Sequence, residues 1–231
     1  MENLFIKYMS GRSATTASPK EDHLGPVITI SRQYGCPGDR ICEKLAQTLS
    51  VTFKENEQPK EWKWISKEIL EESAKELKLT PSLINNLQEY KLHGFMDHLT
   101  LFFSTGFYPS DTKVMSTIAK VIHSAASHGH VIILGRAGEA ITQNIQKSLH
   151  FKLEAPLDWR ADQIAKKKGL SLSAAKEMCV NEDKLRLQFR DYFENGKSDI
   201  EFFDAMFNTK TMSDEEIVSL IVKLAKSKRL I

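Results

Sequence analysis

The stretch Val27-Ile28-Thr29-Ile30-Ser31-Arg32-Gln33-Tyr34-Gly35-Cys36-Pro37-Gly38-Asp39-Arg40 decides how the rest of the chain is read. Val27–Ile30 is a short β-branched run that fits a buried strand. Gln33–Gly38 is rich in turn residues, and Asp39 then opens a helix with Ile41, Leu45 and Leu49 on one face. Strand, glycine-bearing loop and helix in that order form a natural anion cradle. Small residues let backbone N–H groups converge, and the helix presents its positive end. The Walker A pattern GxxxxGK[ST] is not matched. Such turns also occur in α/β proteins without a phosphate ligand, so the loop alone leaves both readings open.

Further along, Val131–Leu134 is a continuous apolar run closed by Gly135, the pattern of a strand buried on both faces. Phe151, Leu153 and Ala155 alternate as a third strand, and Asp204–Thr209 gives a fourth with Met206 and Phe207 as its apolar content. Leu157–Lys168 and Ser173–Phe193 read as long helices, and residues 61–104 as a helical region with Ile65 and Ile69 near helical spacing. Val114, Ile118, Val121 and Ile122 make a helix stripe that ends at His128-Gly129. The last helix carries a capping box, Ser213 with Glu216, ahead of Ile217, Leu220, Ile221 and Leu224. Strands separated by helices predict an α/β fold, a parallel sheet flanked by helices on both faces.

In such a sheet ligands gather beyond the carboxyl ends of the strands. Three segments fall there: Ser31–Arg40, Gly135-Arg136-Ala137-Gly138 and Ala155–Arg160. Arg136 at a strand end either holds a phosphate bidentately or pairs with a carboxylate such as Glu139. Asp183, Arg186 and Arg190 share one helix face, which is either solvated or closes over transferring phosphates. Leu185, Phe189 and Phe193 on the adjacent face are expected to dock that helix. The histidines show no ligand spacing for a metal, and Trp62 and Trp64 read as packing residues.

The chain has 231 residues, is 41% hydrophobic and 27% charged, and carries a net charge of +2. That length buries a sizeable core, and the charge balance gives no reason to expect nucleic acid or membrane as a partner. Cys36, Cys42 and Cys179 make no CxxC pair or zinc spacing, which suits reduced thiols and a cytoplasmic location. No apolar run approaches the roughly 20 residues that span a bilayer, and Leu4-Phe5-Ile6 is too short for a signal-peptide core. Residues 1–26 read as an arm and linker before a domain at 27–231. Phe5, Ile6, Tyr8 and Met9 could dock on that domain or on a second copy, which leaves a homodimer open.

The order of these segments resembles the cytidylate kinase-like family. The resemblance is carried by Ile28–Gly35, Trp64–Leu70, Val131–Arg136, Ala155-Pro156 with Arg160, and Asp183, Arg186, Asp191–Phe193 with Phe207–Thr209. It implies a P-loop nucleoside-monophosphate-kinase fold with a helical monophosphate-binding insertion at about 55–125 and a lid at about 169–200. It further implies phosphoryl transfer from ATP, with Mg2+, to a nucleoside monophosphate, CMP or dCMP first. The alternative is a catalytically impaired nucleotide-binding or regulatory protein of the same fold. By position, Arg32, Gly35, Cys36, Gly38, Asp39 and Arg40 would hold the donor, and Arg136 and Asp183 the acceptor. Arg160, Arg186 and Arg190 would be the catalytic clamps. The sequence departs from the family where Pro37 replaces a glycine and Asp39 an arginine, and Gly38 stands at the place of the P-loop lysine.

Overall fold

In the computed structural model the described residues are 25–51, 60–66, 119, 122–123, 125–126, 128–194 and 196–231. Residues 1–24 of the arm and most of the proposed insertion at 55–125 lie outside them.

Five strands form one parallel sheet: β1 (Val27–Arg32), β2 (Lys63–Ile65), β3 (Val131–Leu134), β4 (Ser148–Glu154) and β5 (Ala205–Asn208). Their order across the sheet is β2-β3-β1-β4-β5, every neighbouring pair parallel. The chain therefore leaves the central β1 to one side and later returns to fill the other. The carboxyl end of β1, between β3 and β4, is the topological switch point.

Among the described residues six helices accompany the sheet: α1 (Gly38–Val51), α2 (Gly138–Thr142), α3 (Leu157–Lys168), α4 (Leu172–Glu194), α5 (Asp199–Phe202) and α6 (Asp214–Ser227). Period-two alternation in β3 splits its side chains between two cores. Ile132 and Leu134 join Ile28, Ile30 and the α1 stripe Ile41, Leu45 and Leu49 beneath Ile217 and Ile221 of α6. Val131 and Ile133 join Val27, Ile122, Ala140, Phe189, Phe202 and Phe203 on the opposite face. Each large side chain so enclosed stabilises the fold by about 1.5–3 kcal/mol. The α6 capping box forms as its sequence predicts, Ser213 Oγ accepting from the Glu216 N–H and the Glu216 carboxylate from the Ser213 N–H.

One expectation fails here. Residues 63–65 form an edge strand, not the start of a helix. Trp62 is buried in the α1-side core and its N–H donates to Ser50 Oγ at 2.8 Å, while the Lys63 N–H reaches the His130 carbonyl at 3.2 Å. These ties hold the segment extended beside β3, and a three-residue strand is too short to show a period-two signature.

Candidate functional site

The β1–α1 loop lies at the switch point. The Gln33 N–H donates to the Leu153 carbonyl at 3.0 Å and its side-chain oxygen accepts from the Ala155 N–H at 3.1 Å, so the ladder to β4 continues one step past β1. Gly35 then turns with φ of 95°, and a Cβ there would lie 2.9 Å from the Arg160 Cβ and carbonyl oxygen. Only glycine fits that close approach. The loop's amides are largely spent internally: Cys36 N–H on the Gln33 carbonyl at 3.2 Å and Gly38 N–H on the Cys36 carbonyl at 2.9 Å. Pro37 contributes none.

The Tyr34 N–H donates to a side chain from far along the chain, the Asp183 carboxylate of α4, at 2.6 Å. The other oxygen of Asp183 accepts from Arg160 Nη1, also at 2.6 Å. Arg160 is buried, and its Nη1 also donates to the Tyr34 carbonyl and its Nε to the Ala155 carbonyl, both at 2.9 Å. A residue expected to clamp a ligand instead fastens the loop, α3 and α4 together. The reason is burial: an enclosed guanidinium must satisfy its donors within the protein.

Arg186 lies one turn on from Asp183. Its Nη1 donates to the Arg32 carbonyl at 2.9 Å, and its guanidinium lies 5.2 Å from the centre of the Tyr34 ring. Burial first, and then the neighbouring Arg32 charge, push its pKa down to about 10, so it stays charged at neutral pH. Arg32 sends its side chain across Gly38 toward Gly135. Among the described residues neither Arg32 nor Arg186 has an ion pair.

Other expected residues stand elsewhere. Arg190 pairs with Asp199 at 2.7 Å, beside Lys152 and the Phe203 ring. There burial opposes the Lys152 charge, but hydrogen bonds to Asp199 and Glu154 outweigh it and hold its pKa above the usual lysine range. Arg40 leans away from the loop onto Asp214 of α6, with Nε at 3.0 Å. Arg136, at φ of 57°, lies 5.2 Å from the Phe189 ring of α4. Burial raises the Cys36 thiol pKa, against a lowering hydrogen bond from Thr209. Asp39 is exposed in the first turn of α1. Phe189 and Phe193 dock α4 as expected, but Leu185 is exposed. An open cleft of about 340 Å³ adjoins the loop, lined by Gln33, Glu154, Ala155, Pro156, Met206, Phe207 and Asn208.

Of the carboxylates near the loop, Asp183 is taken by Tyr34 and Arg160, while Asp39 stands exposed in the first turn of α1. Among the described residues no three His, Cys, Asp or Glu gather where a cation could be held.

A five-stranded parallel sheet with this strand order, helices on both faces and a loop–helix turn at the switch point defines a P-loop-kinase-like α/β fold. The family profile described as cytidylate kinase-like matches residues 27–211, and the chain belongs to that family. A cytidylate kinase of Ignicoccus hospitalis is 26% identical over 115 residues, 49% of this chain and 66% of that one. A uronate isomerase of Corynebacterium glutamicum is 36% identical over 116 residues, 49% of this chain but only 22% of that enzyme. The matches thus span less than two thirds of either relative. Among solved structures, an uncharacterized protein from Eubacterium ventriosum superposes with a TM-score of 0.58 at 20% identity, covering 87% of this chain and 98% of that one. A shikimate kinase from Acinetobacter baumannii gives 0.50 at 12% identity, covering 90% and 97%. At these identities the structures speak for the fold alone. No helix among the described residues is long and apolar enough to cross a membrane.

Proposed function

We propose that the protein transfers a phosphoryl group from ATP to a nucleoside monophosphate, with CMP or dCMP the first acceptor to try. The observation that carries this is the pair Arg32 and Arg186, without an ion pair among the described residues, at the switch point beside the start of α1. The family and its cytidylate kinase relatives supply the nucleotide. On this reading Gly35–Arg40 lines the donor phosphates, Arg136 takes the acceptor phosphate, and the cleft beside Asn208 receives the donor base. The attacking oxygen belongs to a phosphate already ionised near neutral pH, so no general base is needed. Catalysis reduces to positioning and charge neutralisation. Helix α4 serves as the lid over residues 169–200. Opening it means breaking the Asp183 contacts to Tyr34 and Arg160, after which Asp183 is available to the acceptor.

Radiolabelled ATP with a panel of nucleoside monophosphates should give labelled diphosphate with one or a few acceptors. No turnover at high enzyme concentration would sink the kinase reading. Arg136→Ala should weaken monophosphate binding more than ATP binding, and equal losses would remove its acceptor assignment.

A second reading, a nucleotide-binding protein without catalysis, has its own observation. The loop lacks the Pro37 donor and the lysine at Gly38, and its Tyr34 amide is held by Asp183. Calorimetry with ATP, ADP and CMP would then show binding without turnover.

A further inference from the structure

We infer that Arg32 supplies from the end of β1 the phosphate-binding cation that the first turn of α1 lacks, and that together with Arg186 it favours a polyphosphate over a monophosphate. The inference rests on the reading of this site as phosphate-binding and names how it would do so.

In the Walker arrangement the cation is a lysine at the start of the helix, reaching back over the loop. Here that position is Gly38, and the space above it is occupied. A Cβ on Gly38 would lie 2.9 Å from Leu134 Cδ1, 3.4 Å from Arg32 Cδ and 3.5 Å from Arg32 Cγ. Leu134 therefore crowds position 38 most, and the stem of Arg32 passes beside it at van der Waals distance. Its guanidinium ends over Gly135, where a Cβ would overlap Nη1 of Arg32. Two glycines, one opening α1 and one closing β3 with φ of 75°, flank the path of a single arginine.

The charge around it is unbalanced. Arg186 donates to the Arg32 main-chain carbonyl, and burial, then the Arg32 charge, lower its pKa, so the two guanidinium groups lie within electrostatic reach of each other. Of the two carboxylates whose charge reaches Arg186, Asp183 already serves the Tyr34 amide and Arg160, and Glu182 makes no ion pair with it among the described residues. Two adjacent cations without a counter-charge destabilise the empty protein and bind an anion that spans both. Each guanidinium offers a planar fork for one phosphoryl group. Two neighbouring phosphoryl groups can engage both forks, whereas a lone phosphate engages one.

Isothermal calorimetry on the full chain with ATP, inorganic tripolyphosphate and inorganic phosphate tests this, with a thermal melt of each variant alongside. The wild type should bind tripolyphosphate well above phosphate. Arg32→Gln should weaken ATP and tripolyphosphate by about 10- to 100-fold with its melt unchanged. Gly38→Lys alone should gain nothing, because a Cβ there already lies 2.9 Å from Leu134 Cδ1. If Arg32→Gln binds both ligands as the wild type does, the assignment to Arg32 is overturned and the nucleotide reading survives. A melt that falls while affinity holds identifies Arg32 as a space-filler and overturns it equally. Should Arg32→Gln fail to fold, Arg32→Lys keeps stem and charge without the fork and should lose about threefold or more, and no loss overturns the inference. Tripolyphosphate binding without ATP binding keeps the Arg32 role and removes the nucleotide. Silence with both removes both.

Discussion

The two flanks of β1 treat charge in opposite ways. Toward β4 and β5, three cations have carboxylates: Lys152 with Glu154 and Asp199, Arg190 with Asp199, Arg160 with Asp183. Toward β3, the Arg32 side chain has none among the described residues, and neither does Arg186, which meets the Arg32 carbonyl. Matched charges fix the position of α4 and α5. Unmatched ones weaken the fold, and their retention is sensible where a ligand brings the missing charge. Arginines that look alike in sequence thus divide into fasteners and receivers.

The sharpest attack on that division is Asp183→Ala. It leaves the buried Arg160 guanidinium and the Tyr34 amide without their acceptor, and should lower unfolding free energy by about 3 kcal/mol in urea titration. A loss under 1 kcal/mol would mean the fastening role is misassigned.

Acid should act nearly as strongly. His150 bridges the flank toward β4, its Nδ1 2.8 Å from Thr29 Oγ1 and its Nε2 3.1 Å from Ser148 Oγ. Burial, only partly offset by Asp204, pulls its pKa down to about 4. Because the folded value lies below the unfolded one, the neutral form contributes stability that is complete above pH 6.5. It is lost as pH falls toward 4, on the order of 3 kcal/mol. His150→Gln should flatten that part of the stability-against-pH curve, and an unchanged slope would place the acid sensitivity elsewhere.

Next comes a paired substitution across the division. Arg190→Gln should cost about 1–2 kcal/mol of stability, since it strips Asp199 of a half-buried partner, and leave ATP affinity within twofold. Arg186→Gln should do the reverse, weakening ATP about tenfold while stability holds or rises slightly. If both variants behave alike in calorimetry and melting, the two flanks do not differ in kind. The smallest effect belongs to Arg40→Ala, whose exposed bridge to Asp214 should be worth less than about 1 kcal/mol.

Much of this fold was legible in the chain. The β1 loop and α1, the apolar β3 run, the capped α6 and the order of elements all follow from local patterns of side chains. The edge strand at Lys63–Ile65 was not, because what makes it extended is a distant partner, Ser50 and His130, rather than its own periodicity. The site was legible in composition but not in allegiance. Spacing puts Asp183, Arg186 and Arg190 on one face of α4, yet spacing cannot say that Asp183 meets Tyr34, that Arg186 meets Arg32, or that Arg190 finds Asp199. Each of those pairings depends on tertiary placement. One signal could have been used: an arginine at the end of a strand, six residues before a glycine standing where a lysine is expected.

The crowding of Gly38 by Leu134 and the Arg32 stem also constrains how this chain and its kin can change. A Cβ at 38 would lie 2.9 Å from Leu134 Cδ1 and 3.4 Å from Arg32 Cδ, so a larger residue there must first displace Leu134 and then share its room with Arg32. Aligned relatives should therefore show a side chain at 38 only together with a smaller residue at 134.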